Sequence, residues 1–434
     1  MVSYKTAHRI APIVKLDTAK IKFSAKQVAL KNKISIFQNL GIKVLEGQPY
    51  YTLTQQNKQL FFNATNGVQL DNGAVTYASY LAKYYLGNKQ AKITNVEVVT
   101  NFTGEYKVIN RHLPAYKVSF DDKAKSDVFV HIPSGGLGTI NNNFKRTQLW
   151  IFSNFHNWDF LGDNHTIKPF FIFTLSLATL IVGILGLYIY FVNKKKFKKQ
   201  KKGVERLKRR NIHRYISVPS SVFFIMFAFS GGYHAFQKFE PYFLNQYQPV
   251  VNFDVETLKN DVLKVNGVTN FQRVSLVNIK NENYYRVSFF RNPVAKYYHS
   301  TTLKVVRDGD ELYAKQRALE ILEKQISEIE SVSLIQKFQN KYGFINKRLP
   351  VYEVVFKDEA GTKCYVETAS GIPGALVNNA KKREALSFIM LHKFHFLDFL
   401  GKGTRDVIIA LAVLSILLIL FSGLRIFIQI IKKR

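Results

Sequence analysis

The chain has 434 residues, of which 62 are Lys or Arg and 30 are Asp or Glu, so its formal net charge is +32. A charge of this size favours nucleic acid, an anionic membrane surface or acidic ligands as partners, and the position of the charge decides among them. The single cysteine, Cys364, excludes an intramolecular disulfide and a thiolate metal cage.

The first 165 residues combine strand and helix signals. Residues 49–70 and 114–138 each contain two strands of alternating hydrophobicity around a polar turn, which is typical of an antiparallel hairpin. Residues 74–85, between the hairpins, favour a helix. We therefore predict a domain of two small α+β units over residues 1–165.

Two apolar segments follow, and each has about the ~20 residues that cross a bilayer as a helix. We predict transmembrane helices over 166–193 and 215–237, joined by a loop over 194–214. Residues 194–210 of this loop hold 11 Lys or Arg and one Glu. The positive-inside rule places the loop in the cytoplasm, where it sets topology and contacts anionic lipid, and it is not expected to bind nucleic acid.

A second soluble domain is predicted over 238–404. It repeats the hairpin and helix signals, at 283–306, 310–329 and 350–374. A third transmembrane helix follows over 405–431, and the basic tail 432–434 is cytoplasmic. Both soluble domains then face the periplasm, if the membrane is a bacterial inner membrane.

The two halves share sequence. INRHLPAYKVSF (109–120) matches INKRLPVYEVVF (345–356), and FHNWDFLG (155–162) matches FHFLDFLG (394–401). We therefore predict an internally duplicated unit of helix, soluble domain and helix. Because the first half begins without the helix that precedes the second, we expect a further membrane helix upstream and a cytoplasmic N-terminus.

The order of these motifs resembles one protein family along nearly the whole chain. The helix and hairpin units, with endings such as YVETASG (365–371), resemble PepSY domains. The HRY opening (213–215), the SGGYH close (230–234) and the H-x-x-D-F elements resemble PepSY-associated transmembrane proteins, often called iron-regulated membrane proteins. The resemblance implies PepSY-like domains alternating with membrane helices. It also implies haem, because some members are haem-containing reductases of ferric siderophores at the periplasmic face.

Several histidines lie at the predicted membrane boundaries, and neutral imidazole is a good axial ligand for haem iron. His213 and His234 are 21 residues apart, or about 31 Å along a helix, so they fit two sites across the bilayer. The candidate ligands of haem b are His156, His213, His234, His392 and His395. Asp159 and Asp398 follow His156 and His395 by three residues, so each is a candidate to fix an imidazole tautomer. The other histidines, in loops or on strand faces, are weaker candidates: His8, His112, His131, His165 and His299.

The copies are not equal in this alignment, because Ser153 stands opposite His392. A boundary histidine can also be a plain interfacial residue, and each His–Asp pair can simply orient a short helix on the membrane. These alternatives stay open at the level of the sequence.

The first functional hypothesis is an inner-membrane electron carrier that reduces ferric siderophores or other anionic iron chelates in the periplasm, with a cytoplasmic or quinone electron donor. The enzyme class that it implies is a ferric-chelate reductase. No P-loop, GxSxG or HExxH motif points to other catalysis. The alternatives are a non-catalytic PepSY protein that inhibits a protease or scaffolds the envelope, and an accessory subunit of a metal transporter.

Overall fold

A computed structural model of the protein describes most of the chain. The described residues are 8, 10–13, 16–56, 58–107, 112–162, 166–198, 205–238, 247–265, 268, 271–290, 292–338, 342–343 and 348–432. His165, the basic segment 199–204, the last two residues and parts of the 109–120 and 345–356 repeat therefore lie outside them. The chain divides into two compact units: Met1–Asn157 with Phe243–Val377, and Trp158–Tyr242 with Asn378–Arg434.

The α-helices are α1 (Ala25–Lys31), α2 (Gly73–Leu86), α3 (Asn143–Ile151), α4 (Ile167–Lys198), α5 (Glu205–Phe236), α6 (Gly309–Leu322), α7 (Asn379–Ser387) and α8 (Lys402–Ile431). The strands are β1 (Ile36–Phe37), β2 (Asn39–Leu45), β3 (Gln48–Gln55), β4 (Lys58–Asn63), β5 (Ile93–Val99), β6 (Ala115–Phe120), β7 (Asp127–His131), β8 (Gly136–Asn141), β9 (Phe253–Asp254), β10 (Phe271–Ile279), β11 (Glu282–Phe289), β12 (Lys296–His299), β13 (Val305–Val306), β14 (Ile329–Ile335), β15 (Val351–Phe356), β16 (Lys363–Glu367) and β17 (Ile372–Val377). Two π-helical turns extend α3 and α7, the first π turn (Phe152–His156) and the second π turn (Phe388–His392).

The first unit is built from antiparallel sheets. Three sheets have four strands in sequence order, β5 to β8, β10 to β13 and β14 to β17, and β2 to β4 form a three-stranded sheet. Strand β1 pairs with β9, so residues from both halves of the chain share this unit. The prediction of an α+β protein with antiparallel hairpins is confirmed.

Helices α2 and α6 pack on sheets of the first unit, and each begins with a glycine. A Cβ added to Gly73 would lie 2.6 Å from Phe61 Cβ, and one added to Gly309 would lie 2.4 Å from Tyr297 Cγ. No side chain fits at such distances, so glycine is required for the close approach of helix and sheet.

Helix α6 is shorter than the predicted 310–329. It ends at Leu322 because Glu323 adopts a left-handed conformation, with φ of 52°. A short 3-10 turn, Ile326–Glu328, follows, and its Glu328 carboxylate accepts the backbone N–H of Gln325 at 2.6 Å. The residues after Glu328 enter β14.

The second unit contains three helices long and apolar enough to cross a membrane, as predicted. The apolar spans are Ile167–Asn193, Arg210–Phe236 and Lys402–Ile431. Helix α5 packs against both α4 and α8. Small residues permit the approach of α4 and α5, since a Cβ on Gly183 would lie 3.1 Å from the Phe224 ring.

Candidate histidine sites

The chain reaches α4 and α8 through the same series of local structures. Asn142 and Asn378 cap α3 and α7 by accepting the backbone N–H three residues later, at 2.8 and 2.9 Å. Each helix then widens into a π turn. Two residues beyond each π turn the backbone turns left-handed, with φ of 58° at Trp158 and 52° at Phe394, and a 3-10 turn follows.

These local structures correct the alignment of the two octapeptides. The π turns end on His156 and His392, so these two histidines occupy equivalent places. The 3-10 turn that follows has three residues in Asp159–Leu161 and six in His395–Leu400. The octapeptide match aligns the closing glycines correctly but shifts the histidines by three residues, so Ser153 is not the counterpart of His392.

His234, in the last turn of α5, contacts two residues of the α7 segment. Its Nδ1 is hydrogen-bonded to the Glu384 carboxylate, and its ring lies 5.3 Å from the ring of Phe388. The other side of this cluster is His392, whose ring stacks on Phe388 at 4.9 Å and meets Phe227 of α5 edge-on at 5.2 Å. One phenyl ring therefore contacts both imidazoles.

Phe394 fastens this cluster to α5. Its side chain is fully buried, and it stacks on Phe227 at 5.5 Å and on Phe223 at 5.7 Å. The left-handed backbone at Phe394 turns its ring toward α5 directly after the second π turn. The histidines of this cluster are thus set in an aromatic, apolar environment.

His213 lies 21 residues before His234 on α5, and the structure does not bring the two together. Its Nδ1 is 2.7 Å from Ser422 Oγ of α8. That hydroxyl donates to the carbonyl of Ile419 at 2.9 Å, so its oxygen is left to accept the Nδ1–H of His213. The helices are close here, since a Cβ on Gly423 would lie 3.4 Å from His213 Cε1.

His395 contacts Asp398, as its three-residue spacing predicts, with 2.8 Å between Nδ1 and Oδ2. Asp398 is also paired with Arg405, at the beginning of α8. Burial acts to raise the pKa of Asp398, but the bonds from His395 and Arg405 outweigh it and hold this pKa below its ordinary value. Both His395 and Asp398 are exposed.

His156 belongs to the first unit, apart from the other four candidates. It is exposed, and its ring lies 4.6 Å from that of Phe152. Asp159, in the second unit, accepts a 2.5 Å hydrogen bond from Lys168 at the beginning of α4.

Inspection of the sequence for histidine and aspartate missed Glu384 and Phe388. A helical signal for both was present, because Glu384, Phe388 and His392 are spaced by four residues and so share one face. Ser422 carried no comparable signal, since its role depends on the packing of α5 against α8.

The sequence also undervalued two histidines of the first unit. His131 is buried, and its ring lies 4.5 Å from that of His112, with 12° between the planes. Burial lowers the pKa of His112 to about 4 and that of His131 well below its ordinary value, so both are neutral at pH 7. Glu367 lies 3.9 Å from His112 and is paired with Arg348 at 2.7 Å.

Metal chemistry of protein ligands alone finds no support in the described part of the chain. Within it, no group of three or more His, Cys, Asp or Glu side chains is placed to hold a metal ion. Cys364 is buried in β16, and burial raises the pKa of its thiol to about 12, as a packed thiol requires.

Comparison with known proteins gives one match. A family model described as the PepSY-associated TM region matches residues 68–429. The matched segment begins before α2 and includes the three apolar helices and both π turns. No curated protein and no solved structure matches the chain significantly.

Proposed function

This chain belongs to the family of PepSY-associated TM regions, and from that premise we propose that it binds haem b and passes electrons across the bacterial inner membrane to ferric chelates. The chelates are siderophores or other anionic iron complexes in the periplasm. The protein is then a ferric-chelate reductase of iron uptake, supplied by a cytoplasmic or quinone donor.

The observation that carries this proposal is a shared tautomer. In His213, His234 and His395 the Nδ1 atom faces an acceptor, which is Ser422 Oγ in the first and a carboxylate in the other two. Each ring therefore carries its proton on Nδ1 and keeps the lone pair on Nε2. Histidines that bind metal are held in this way, with one nitrogen hydrogen-bonded and the other on the metal.

The residues around His234 fit a haem ligand chemically. Glu384 orients the imidazole, and the rings of Phe227, Phe388 and Phe394 exclude water from its surroundings. Bound haem supplies a reversible one-electron couple, whose potential responds to hydrogen bonds on the ligand and to the polarity of its environment. His213 offers a second ligand near the other end of α5.

The topology that we propose follows from charge. The Lys- and Arg-rich loop between α4 and α5 is cytoplasmic, so the first unit lies in the periplasm. The net charge of +32 favours anionic chelates there. We also infer an internal duplication, which is supported by the matched caps, π turns and 3-10 turns before α4 and α8 and by the same strand order in sheets β5–β8 and β14–β17.

The test is an absorption spectrum of the full-length protein, purified in detergent from cells supplied with haem. We expect a Soret band that shifts on reduction with dithionite and returns when a ferric siderophore is added. His234→Ala and His213→Ala should each lower the Soret absorbance per mole of protein. His8→Ala, a histidine of the first unit, is the matched control and should leave it unchanged.

Protein that folds but carries no haem after expression in such cells would overturn the proposal. The non-catalytic alternative, a PepSY protein that binds a peptide, a protease or a transporter, would then be preferred. A haem band that both His→Ala variants retain in full would instead reject the ligand assignment.

A further inference from the structure

The first π turn forms one side of an open apolar groove in the first unit. The groove measures about 480 Å³, and its lining residues are Gln148, Ile151, Phe152, Phe155 and His156. Phe155 is 73% exposed and Phe152 is 51% exposed. Exposed aromatic side chains gathered into one concave patch indicate a binding surface.

The equivalent face of the second unit is covered. Glu384, Phe388 and His392 stand 236 residues after Gln148, Phe152 and His156, in the same places of the helix and π turn. There, all three side chains contact α5: Glu384 and Phe388 contact His234, and His392 contacts Phe227. A transmembrane helix that presents rings and one imidazole therefore fills this kind of face in the same molecule.

The two ends of the groove favour a helix over lipid chains. Gln148 and His156 are polar, and the phenyl rings of Phe152 and Phe155 lie between them. Acyl chains would cover the rings without bonding the polar ends, whereas a helix end with alternating ring and polar side chains satisfies both.

We infer that this groove docks the end of a transmembrane helix other than α4, α5 and α8, one that presents an aromatic ring to Phe152 and His156 and an uncharged polar group to Gln148. The inference rests on the proposed duplication and is independent of haem. Gln148 replaces the carboxylate of Glu384, and an amide both donates and accepts. The partner of Gln148 is therefore a neutral group such as an amide, a hydroxyl or a neutral imidazole.

Site-specific photo-crosslinking of the full-length protein in its native membrane tests this inference. The photoreactive residue p-benzoylphenylalanine replaces Phe155 in the groove, and in a control protein it replaces Phe144. Phe144 is 61% exposed on the same helix α3 but does not line the groove. We expect position 155, and not position 144, to give an adduct with one apolar helical peptide, identified by mass spectrometry.

The adduct peptide decides the outcome. A membrane helix with ring and neutral polar side chains at the crosslinked end supports the inference, and Gln148→Ala together with Phe152→Ala should lower its yield. Lipid adducts only, an adduct with α3 of a second copy, an adduct with α4, α5 or α8, or no adduct would each overturn it. The readout needs no haem, so its failure is distinguishable from failure of the reductase proposal.

Discussion

The imidazole ring of His112 lies flat on that of His131 inside the first unit, with centroids 4.5 Å apart. The surroundings of this pair are mostly cationic, since the charges of Lys43, Arg273 and Arg348 all act to lower the pKa of His131. Glu367 is the carboxylate nearest to His112. A proton on either ring would therefore be both desolvated and repelled.

Acid should destabilise the first unit through His112. Because its pKa is about 4 in the folded protein and 6.5 in an unfolded chain, the unfolded state binds more protons below pH 6.5. The stabilisation is complete above that pH and decreases as the pH falls toward 4. Linkage predicts a loss of about 2 kcal/mol in the free energy of unfolding between pH 7.5 and 5.

Thermal unfolding of the purified protein at several pH values measures this effect. His112→Phe keeps a ring against His131 but removes one titrating group, so its unfolding should depend less on pH between 7.5 and 5. His299→Ala leaves the pair intact and should follow the wild type. An unchanged pH dependence in His112→Phe would assign the effect to other groups.

The aromatic anchor at Phe394 should stabilise the second unit. Its ring is fully buried against Phe223 and Phe227, and Phe→Ala in such a place typically costs about 3–5 kcal/mol. Phe396 is 47% exposed in the same turn. We expect Phe394→Ala to lower the unfolding temperature in detergent much more than Phe396→Ala, and equal losses would contradict the packing described here.

The glycine that begins α6 gives a third prediction. In Gly309→Ala the new methyl group would lie 2.4 Å from the ring of Tyr297, so strand and helix must separate, at a typical cost of about 1–3 kcal/mol. Gly104→Ala is the control, because a Cβ there meets nothing within 4 Å. Denaturant unfolding of the two variants should differ accordingly, and a neutral Gly309→Ala would show that the helix can shift.

The sequence predicted those parts of the fold that depend on local pattern. The three apolar helices follow from run length, and hairpins such as β6–β7 and β15–β16 follow from alternation with polar turns. The end of α6 was not predictable, because Glu323 is an ordinary residue in a left-handed conformation without the usual glycine.

The candidate sites were less predictable, because they depend on tertiary packing. His112 and His131 are 19 residues apart in sequence and approach Glu367 only through the fold. The equivalence of His156 and His392 was hidden by three extra residues in the second 3-10 turn. Textual similarity aligned the closing glycines, whereas the backbone aligns the π turns.

Glu384 should control whether His234 is a competent ligand. Its carboxylate accepts the Nδ1–H of His234 and so keeps the lone pair on Nε2. Removing such a partner typically lowers metal affinity by about 10–100-fold. We therefore expect Glu384→Ala to lose haem at a much lower concentration of competing apo-haemoprotein than the wild type does.

Glu384→Gln separates orientation from charge, because its amide oxygen can still accept the Nδ1–H. This variant should retain haem better than Glu384→Ala. The full charge of the carboxylate makes imidazole more electron-rich and favours Fe(III), so the midpoint potential of Glu384→Gln should be higher than that of the wild type. Lys382→Ala, on the same helix α7, is the control and should change neither haem retention nor potential. If Glu384→Ala and Glu384→Gln both behave as the wild type in both measurements, Glu384 does not position His234 for a metal.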